Sequence, residues 1–154
     1  MILYTCIIAE GDELCTDAFP HQELCDGAIL QFEGAMTTNP DDEDEQIINI
    51  VHYNRLVSTG FNKKQLKSYI KAFMRKVKET LEGEGRNDEV ADFMAKAPAA
   101  AKFILGKASD LEFYTGESMN EEGSIVFSEW KENEAGETVP FFYIFKHGVR
   151  QQRC

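Results

Sequence analysis

The sequence predicts an α+β fold in which one β domain is interrupted by an α-helical hairpin. Three observations carry that reading. Alternating or apolar segments rich in branched and aromatic residues occupy both ends of the chain. At Phe61 the hydrophobic period changes from two to the helical spacing. The helical stretch is itself divided by the short glycine break "EGEG", as in two antiparallel helices joined by a tight connection.

The chain has 154 residues, about the length of one domain, and 43% of them are hydrophobic, enough for a core. The opening run "MILYTCIIA" is nine residues long and follows no basic segment, so it is expected to be a buried strand rather than a membrane span or signal peptide. "EGDELCTDAFPH" reads as a turn region with one helical turn. In "AILQFEGAM", Ala28, Leu30 and Phe32 share one face of a strand, and Gln31 and Glu33 share the other. "TTNPDDEDE" holds a breaker and then five consecutive acids, Asp41, Asp42, Glu43, Asp44 and Glu45. Such a block cannot bury itself, so a mobile acidic loop is expected over residues 38–46. "QIINIVHYN" resumes the β pattern.

The helical hairpin is expected over residues 62–106. Asn62 is the candidate N-cap of the first helix. Leu66, Tyr69, Ile70, Phe73, Val77 and Leu81 recur at helical spacing along its inner face. The second helix places Val90, Phe93, Met94 and Ala97 inward. Pro98 is expected to interrupt it, with "AAAKFIL" continuing as a kinked segment up to Gly106. After Ser109 come three strand patterns, "DLEFYT", "SIVFSEW" and "TVPFFYIFKH". The last two are joined by a polar loop around Gly136, suited to a β-hairpin.

Several chemistries are absent from the sequence. It contains no phosphate-binding loop, nucleophile elbow or HExxH segment. His21, His52 and His147 lie far apart, and no spacing pairs them with cysteines as metal ligands. Asp12, Glu13 and Asp17 form an acidic turn, while Glu117 stands at the end of an aromatic strand. Two carboxylates can serve acid–base catalysis, but nothing here supplies a nucleophile, so no enzyme is expected. Cys6, Cys15, Cys25 and Cys154 make no CxxC pair and suggest no disulfide framework. Cys154, the last residue, is either an inert thiol on a frayed tail or a cross-link between two chains.

Charge is the informative feature. Lys63, Lys64, Lys67, Lys71, Arg75, Lys76 and Lys78 put seven of the sixteen basic residues into one segment without a single acid. The molecule carries a net charge of −11, so everything outside that segment sums to −18. Free nucleic acid is not the expected partner of so acidic a body. The basic helix face is either a solvated surface or a docking surface for an acidic partner.

Taken together, these segments resemble the translationally controlled tumour protein family along the whole chain. "MILYTCII" looks like its opening strand, "DELCTDAF" its acidic turn and "DGAILQFEGAM" its second strand. "FNKKQLKSYIKAFMRKVKETLE" and "VADFMAKAPAAAKFIL" are similar to its two helices. "FYTGESMNEEGSIVFSEW" resembles its C-terminal signature, and "PFFYIFKHGV" with the terminal cysteine completes the match. Two departures mark a divergent member. The acidic loop is short and lacks the family's other signature segment, and Ala108 stands where a larger apolar residue is usual.

The resemblance implies one domain over residues 1–154. Its fold would be a mainly antiparallel β-tent core, similar to an accessory protein of Rab GTPases, with a projecting helical hairpin. That accessory protein holds zinc through CxxC pairs, which are missing here, so no structural metal is expected. The family is non-enzymatic and multifunctional. It implies a cytoplasmic protein, with non-classical secretion as a further location. The implied partners are tubulin or microtubules, a Rheb-type small GTPase, translation elongation factors and anti-apoptotic proteins, supporting growth, translation and cell survival. No cofactor is required, and calcium would be held weakly at the run from Asp41 to Glu45, which lacks the EF-hand spacing. Microtubule binding would fall on the seven cations of the hairpin. The alternative function, guanine-nucleotide exchange on the small GTPase, would use Glu13, Leu56 and Glu117. For Glu117, a purely structural role in holding its turn remains the competing reading.

Overall fold

Strands buried on both faces read as continuous apolar runs, and the longest such run forms the middle of this fold. The computed structural model describes residues 1–154. In chain order the elements before the hairpin are β1 (Ile2–Cys6), β2 (Glu13–Thr16), β3 (His21–Leu24), β4 (Ile29–Glu33), β5 (Met36–Asn39), β6 (Asp42–Ile48), α1 (Asn49–Tyr53) and β7 (Val57–Thr59). The hairpin is α2 (Lys63–Gly83) and α3 (Asn87–Leu105). It is followed by β8 (Glu112–Thr115), β9 (Val126–Glu132), β10 (Thr138–Phe145) and β11 (Val149–Arg153). Every strand pair is antiparallel. The strands form a six-stranded sheet in the order β3-β4-β10-β9-β8-β7, a three-stranded sheet β11-β1-β2 and a separate β5-β6 ribbon. This is the α+β architecture expected.

Strand β10 shows how the sequence divides the core in two. Phe141, Tyr143 and Phe145 point to one face and join the stripe of α2, together with Phe113 and Phe127. Phe142 and Ile144 point to the other face and meet Tyr4, Leu14, Cys15, Leu30, Phe32, Ile50 and Leu56. A strand with an apolar layer on each side needs apolar residues at consecutive positions, which explains "PFFYIF". The six residues assigned to the inner stripe of α2 are all buried. Tyr69, which is buried, donates from its hydroxyl to the Gly123 carbonyl at 2.7 Å and accepts from the Ile125 amide at 3.0 Å. Burial raises its pKa well above that of a free phenol.

Five local expectations are corrected. The acidic segment 38–46 is not a loop. Asp42–Ile48 pairs with Met36–Asn39, while the acid side chains stay exposed. Backbone groups close the ladder, so the carboxylates need no burial. "QIINIVHYN" does not continue as a strand past Ile48. Asn49 Oδ1 accepts from the amides of Ala35 at 3.0 Å and Ile50 at 2.7 Å, turning the chain into α1 and burying Ile50. Within "EGDELCTDAFPH", Glu13–Thr16 is a strand on β1, because Leu14 and Cys15 are both buried. Pro98 sits inside a continuous α3. Its missing N–H removes one helical bond, and packing on α2 offsets the loss. The chain end is not frayed either: β11 pairs with β1, and the Cys154 amide donates to the Met1 carbonyl at 2.9 Å. β3 and β11 give little sequence signal because they are polar edge strands.

Candidate docking surface

The basic surface begins with a cap. Asn62 Oδ1 accepts from the Gln65 amide at 2.8 Å, and Gln65 Oε1 accepts from the Asn62 amide at 2.9 Å. This capping box satisfies two orphan donors of the first turn. It lets α2 start although Lys63 and Lys64 face the positive end of the helix dipole. From there the apolar stripe turns inward and the cations turn outward. Only Lys76 has a carboxylate within ion-pair range, Glu122 at 3.5 Å. Lys63, Lys64, Lys67, Lys71, Arg75 and Lys78 have none.

Three acids of the hairpin, Glu84, Glu89 and Asp92, are engaged by other cations. Glu84 accepts from Arg150 Nη1 at 2.9 Å and from Arg86 Nη1 at 3.1 Å. These bonds, Arg150 first, hold its carboxyl down at about 2. Arg86 also binds Glu89, whose pKa is lowered by that hydrogen bond. Asp92 is taken by Lys96 at 2.7 Å and His147 at 2.9 Å. None of Lys67, Lys71, Arg75 and Lys78 has a carboxylate within ion-pair range, and the first acids of α2, Glu79 and Glu82, follow Arg75 and Lys78 at the i, i+4 spacing. Between the two helices lies a groove of about 480 Å³. Lys67, Lys71, Arg75 and Lys78 border it on α2; Met94, Ala97, Pro98, Ala101 and Leu105 line it on α3. The sequence alone did not reveal this groove, because it depends on how the two helices are set against each other.

The second region is the turn carrying Glu117. That side chain pairs with Arg55 at 3.3 Å, and both are largely exposed, 64% and 74%. Glu117 accepts no backbone hydrogen bond. The acid that holds the turn is Asp12, which receives the Ser118 amide at 3.1 Å and its hydroxyl at 2.5 Å. Asp12 is only 7% exposed. A Cβ on Gly116 would stand 2.5 Å from the Asp12 carboxylate, so this contact requires glycine there. The order Gly-Glu-Ser was the available signal for such a pin. Glu13 is exposed on β2 beside Asp12. Leu56 is 7% exposed and packs inside the core between the sheets.

The remaining candidates do not converge. No group of three or more His, Cys, Asp or Glu side chains comes together as a metal site. Asp41, Asp42, Glu43, Asp44 and Glu45 are spread along the exposed ribbon and do not fit a calcium cage. All four cysteines are free thiols. Burial pushes Cys15 up to about 12, and Cys6 is enclosed where its Sγ accepts from the amides of Ala9 and Ser124. Cys154 is exposed. No helix is long and apolar enough to cross a membrane.

The profile of the family described as "Translationally controlled tumour protein" matches residues 33–150. The chain is 38% identical to a translationally-controlled tumor protein homolog of Kluyveromyces lactis, over 99% of each chain. It is 36% identical to the Neurospora crassa homolog, again over 99% of each. A solved structure of a translationally controlled tumor-associated protein from Schizosaccharomyces pombe superposes with a TM-score of 0.82, at 32% identity and over 100% of both chains.

Proposed function

Since the chain belongs to the translationally controlled tumour protein family, we propose that it is a non-enzymatic interaction protein of the cytoplasm whose basic helix docks on microtubules. The observation that carries this reading is the run Lys63–Lys78. It is set outward on a helix anchored by the core, with six of its seven cations unpaired. An acidic body repels an acidic polymer, so only the helix face engages, and contact is brief and salt-sensitive. The partnerships with elongation factors and anti-apoptotic proteins, in support of growth, translation and survival, belong to the same reading as further users of an exposed helix. Calcium linkage has no built cage behind it, and Asp41–Glu45 would gather the ion only diffusely. Cys154 is exposed enough to join two chains under oxidation.

Microtubule co-sedimentation tests the docking. Lys67, Lys71 and Lys78 are changed together to Glu, and binding is measured at low and raised salt. Wild-type protein should sediment at low salt and be released by raised salt, while the triple variant stays in the supernatant with its melting temperature nearly unchanged. Sedimentation of the triple variant, or indifference to salt, removes this reading.

A second reading, regulation of a small GTPase, is favoured by one observation. Asp12 holds the 116–118 turn through the Ser118 amide and hydroxyl, so Glu117 is presented outward from a pinned turn. Nucleotide release from a Rheb-type GTPase should slow with Glu117→Ala at unchanged melting temperature; equal release rates dismiss it. Leu56 is too enclosed to serve as a contact unless the core opens.

A further inference from the structure

The groove between α2 and α3 combines a cationic wall with an apolar lining. Its floor is apolar. Ile70 and Phe93 are buried beneath it, Met74 is half-buried, and Met94 is 51% exposed. Ala97 and Ala101 are small, which keeps the α3 wall low and the channel open. One wall is cationic, with Lys67, Lys71, Arg75 and Lys78, none of them ion-paired. No acid lines the groove at all.

We propose that this groove binds an acidic amphipathic helix of a partner protein. Length agrees with shape. The positions from Lys67 to Lys78 span about 16 Å at the helical rise, room for roughly three turns of a bound helix. A helix in a groove presents apolar side chains at i, i+3 or i+4 and i+7. These would settle over Met74, Met94 and Ala97, and methionine adapts to differing shapes. Charge fixes the orientation: acids flanking that apolar stripe would face the α2 wall. A flat anionic lipid surface would leave a concave channel unfilled, and a purely acidic segment would leave its apolar floor wet. The inference does not depend on microtubule docking, because it rests on the groove floor as much as on the cations.

The probe is a synthetic capped peptide of three to four helical turns, with Leu on one face and Glu elsewhere. Its control has the same composition with the leucines dispersed. Binding to the full chain is read by fluorescence anisotropy. The amphipathic peptide should bind about tenfold or more tightly than the control. Met94→Gln, which keeps the charge, should weaken it about fivefold, Lys71→Gln about threefold, and Arg153→Gln on the far edge not at all. Circular dichroism confirms that each variant is folded. Microtubule sedimentation by Met94→Gln should match wild type, so the two readings fail separately. Equal binding of the two peptides, or no effect of Met94→Gln, overturns the proposal. So does binding to phosphatidylserine vesicles with none to the peptide.

Discussion

Helix α2 and the β5–β6 ribbon are the two segments in which charge of a single sign runs longest, and they hold their shapes for opposite reasons. Between Lys63 and Lys78 every charge is positive, yet each turn of the helix also delivers apolar residues to the core. Most helical stability in proteins comes from packing of an amphipathic face, and this helix buries six side chains along one stripe. From Asp41 to Glu45 every charge is negative, and no residue there is buried. The ribbon is made by its own backbone ladder, Thr37 opposite Ile47 and Thr38 opposite Gln46. A two-stranded ribbon is marginal in water. A charge run therefore says little about order. What decides is whether the positions between the charges reach the core.

The sharpest way to break this contrast is Phe73→Ala. Phe73 is 1% exposed, its ring stacked at 5.5 Å from Tyr69 and 6.1 Å from Phe145. The substitution should cost about 3–5 kcal/mol in urea unfolding, in the range for buried aromatic truncations. A loss under about 1 kcal/mol would mean that α2 does not draw its stability from the core, and the contrast with the ribbon would fall.

The same contrast governs what could be read from the sequence. The helical stripe of α2, its Asn62 cap and the doubly buried strand β10 were legible because burial leaves a period in the apolar residues. β3, the ribbon and β11 were not, since edge strands satisfy half of their backbone from a neighbour and leave side chains free to be polar. Glu117 was legible as an unusual acid, and its exposure makes contact with a partner feasible. The role of Asp12 was not, because the two ends of its bond to Ser118 lie 106 positions apart. The groove on the hairpin was equally hidden. Its cations were plain in the sequence, but the alanine and methionine wall opposite them reads there as ordinary helix.

A smaller effect should come from the junction between the end of α2 and β11. Glu84 receives hydrogen bonds from Arg150 and Arg86 and is held at about 2, against 4.5 for an unperturbed carboxyl. The folded value lies below the unfolded one. The stabilisation is therefore complete above the ordinary carboxyl range and is lost as pH falls from 4.5 toward about 2. Thermal unfolding of Glu84→Gln should show a shallower loss of stability across that window than wild type. Some slope will persist, because Arg86 also lowers Glu89. Identical slopes would show that the arginine cluster does not hold this end of the hairpin.

The smallest effect belongs to the ribbon. Asp42→Asn, Glu43→Gln, Asp44→Asn and Glu45→Gln combined should alter global stability by no more than about 0.5 kcal/mol, since none of the four side chains is buried. Any change should be toward greater stability, and largest at low salt, because neighbouring like charges on the strand repel. Hydrogen exchange gives the finer reading. Amides of β6 should exchange through local opening well before those of β9 and β10, which sit inside the six-stranded sheet with partners on both sides. The charge-neutral variant should slow exchange in β6 while leaving β9 and β10 as they were. If β6 is already as protected as the central strands, the ribbon is fastened to the body, and its backbone ladder alone does not account for its shape. If neutralisation unfolds it, the acids hold the ribbon through contacts such as Glu45 to Asn39 at 3.0 Å, and they serve as more than solvated passengers.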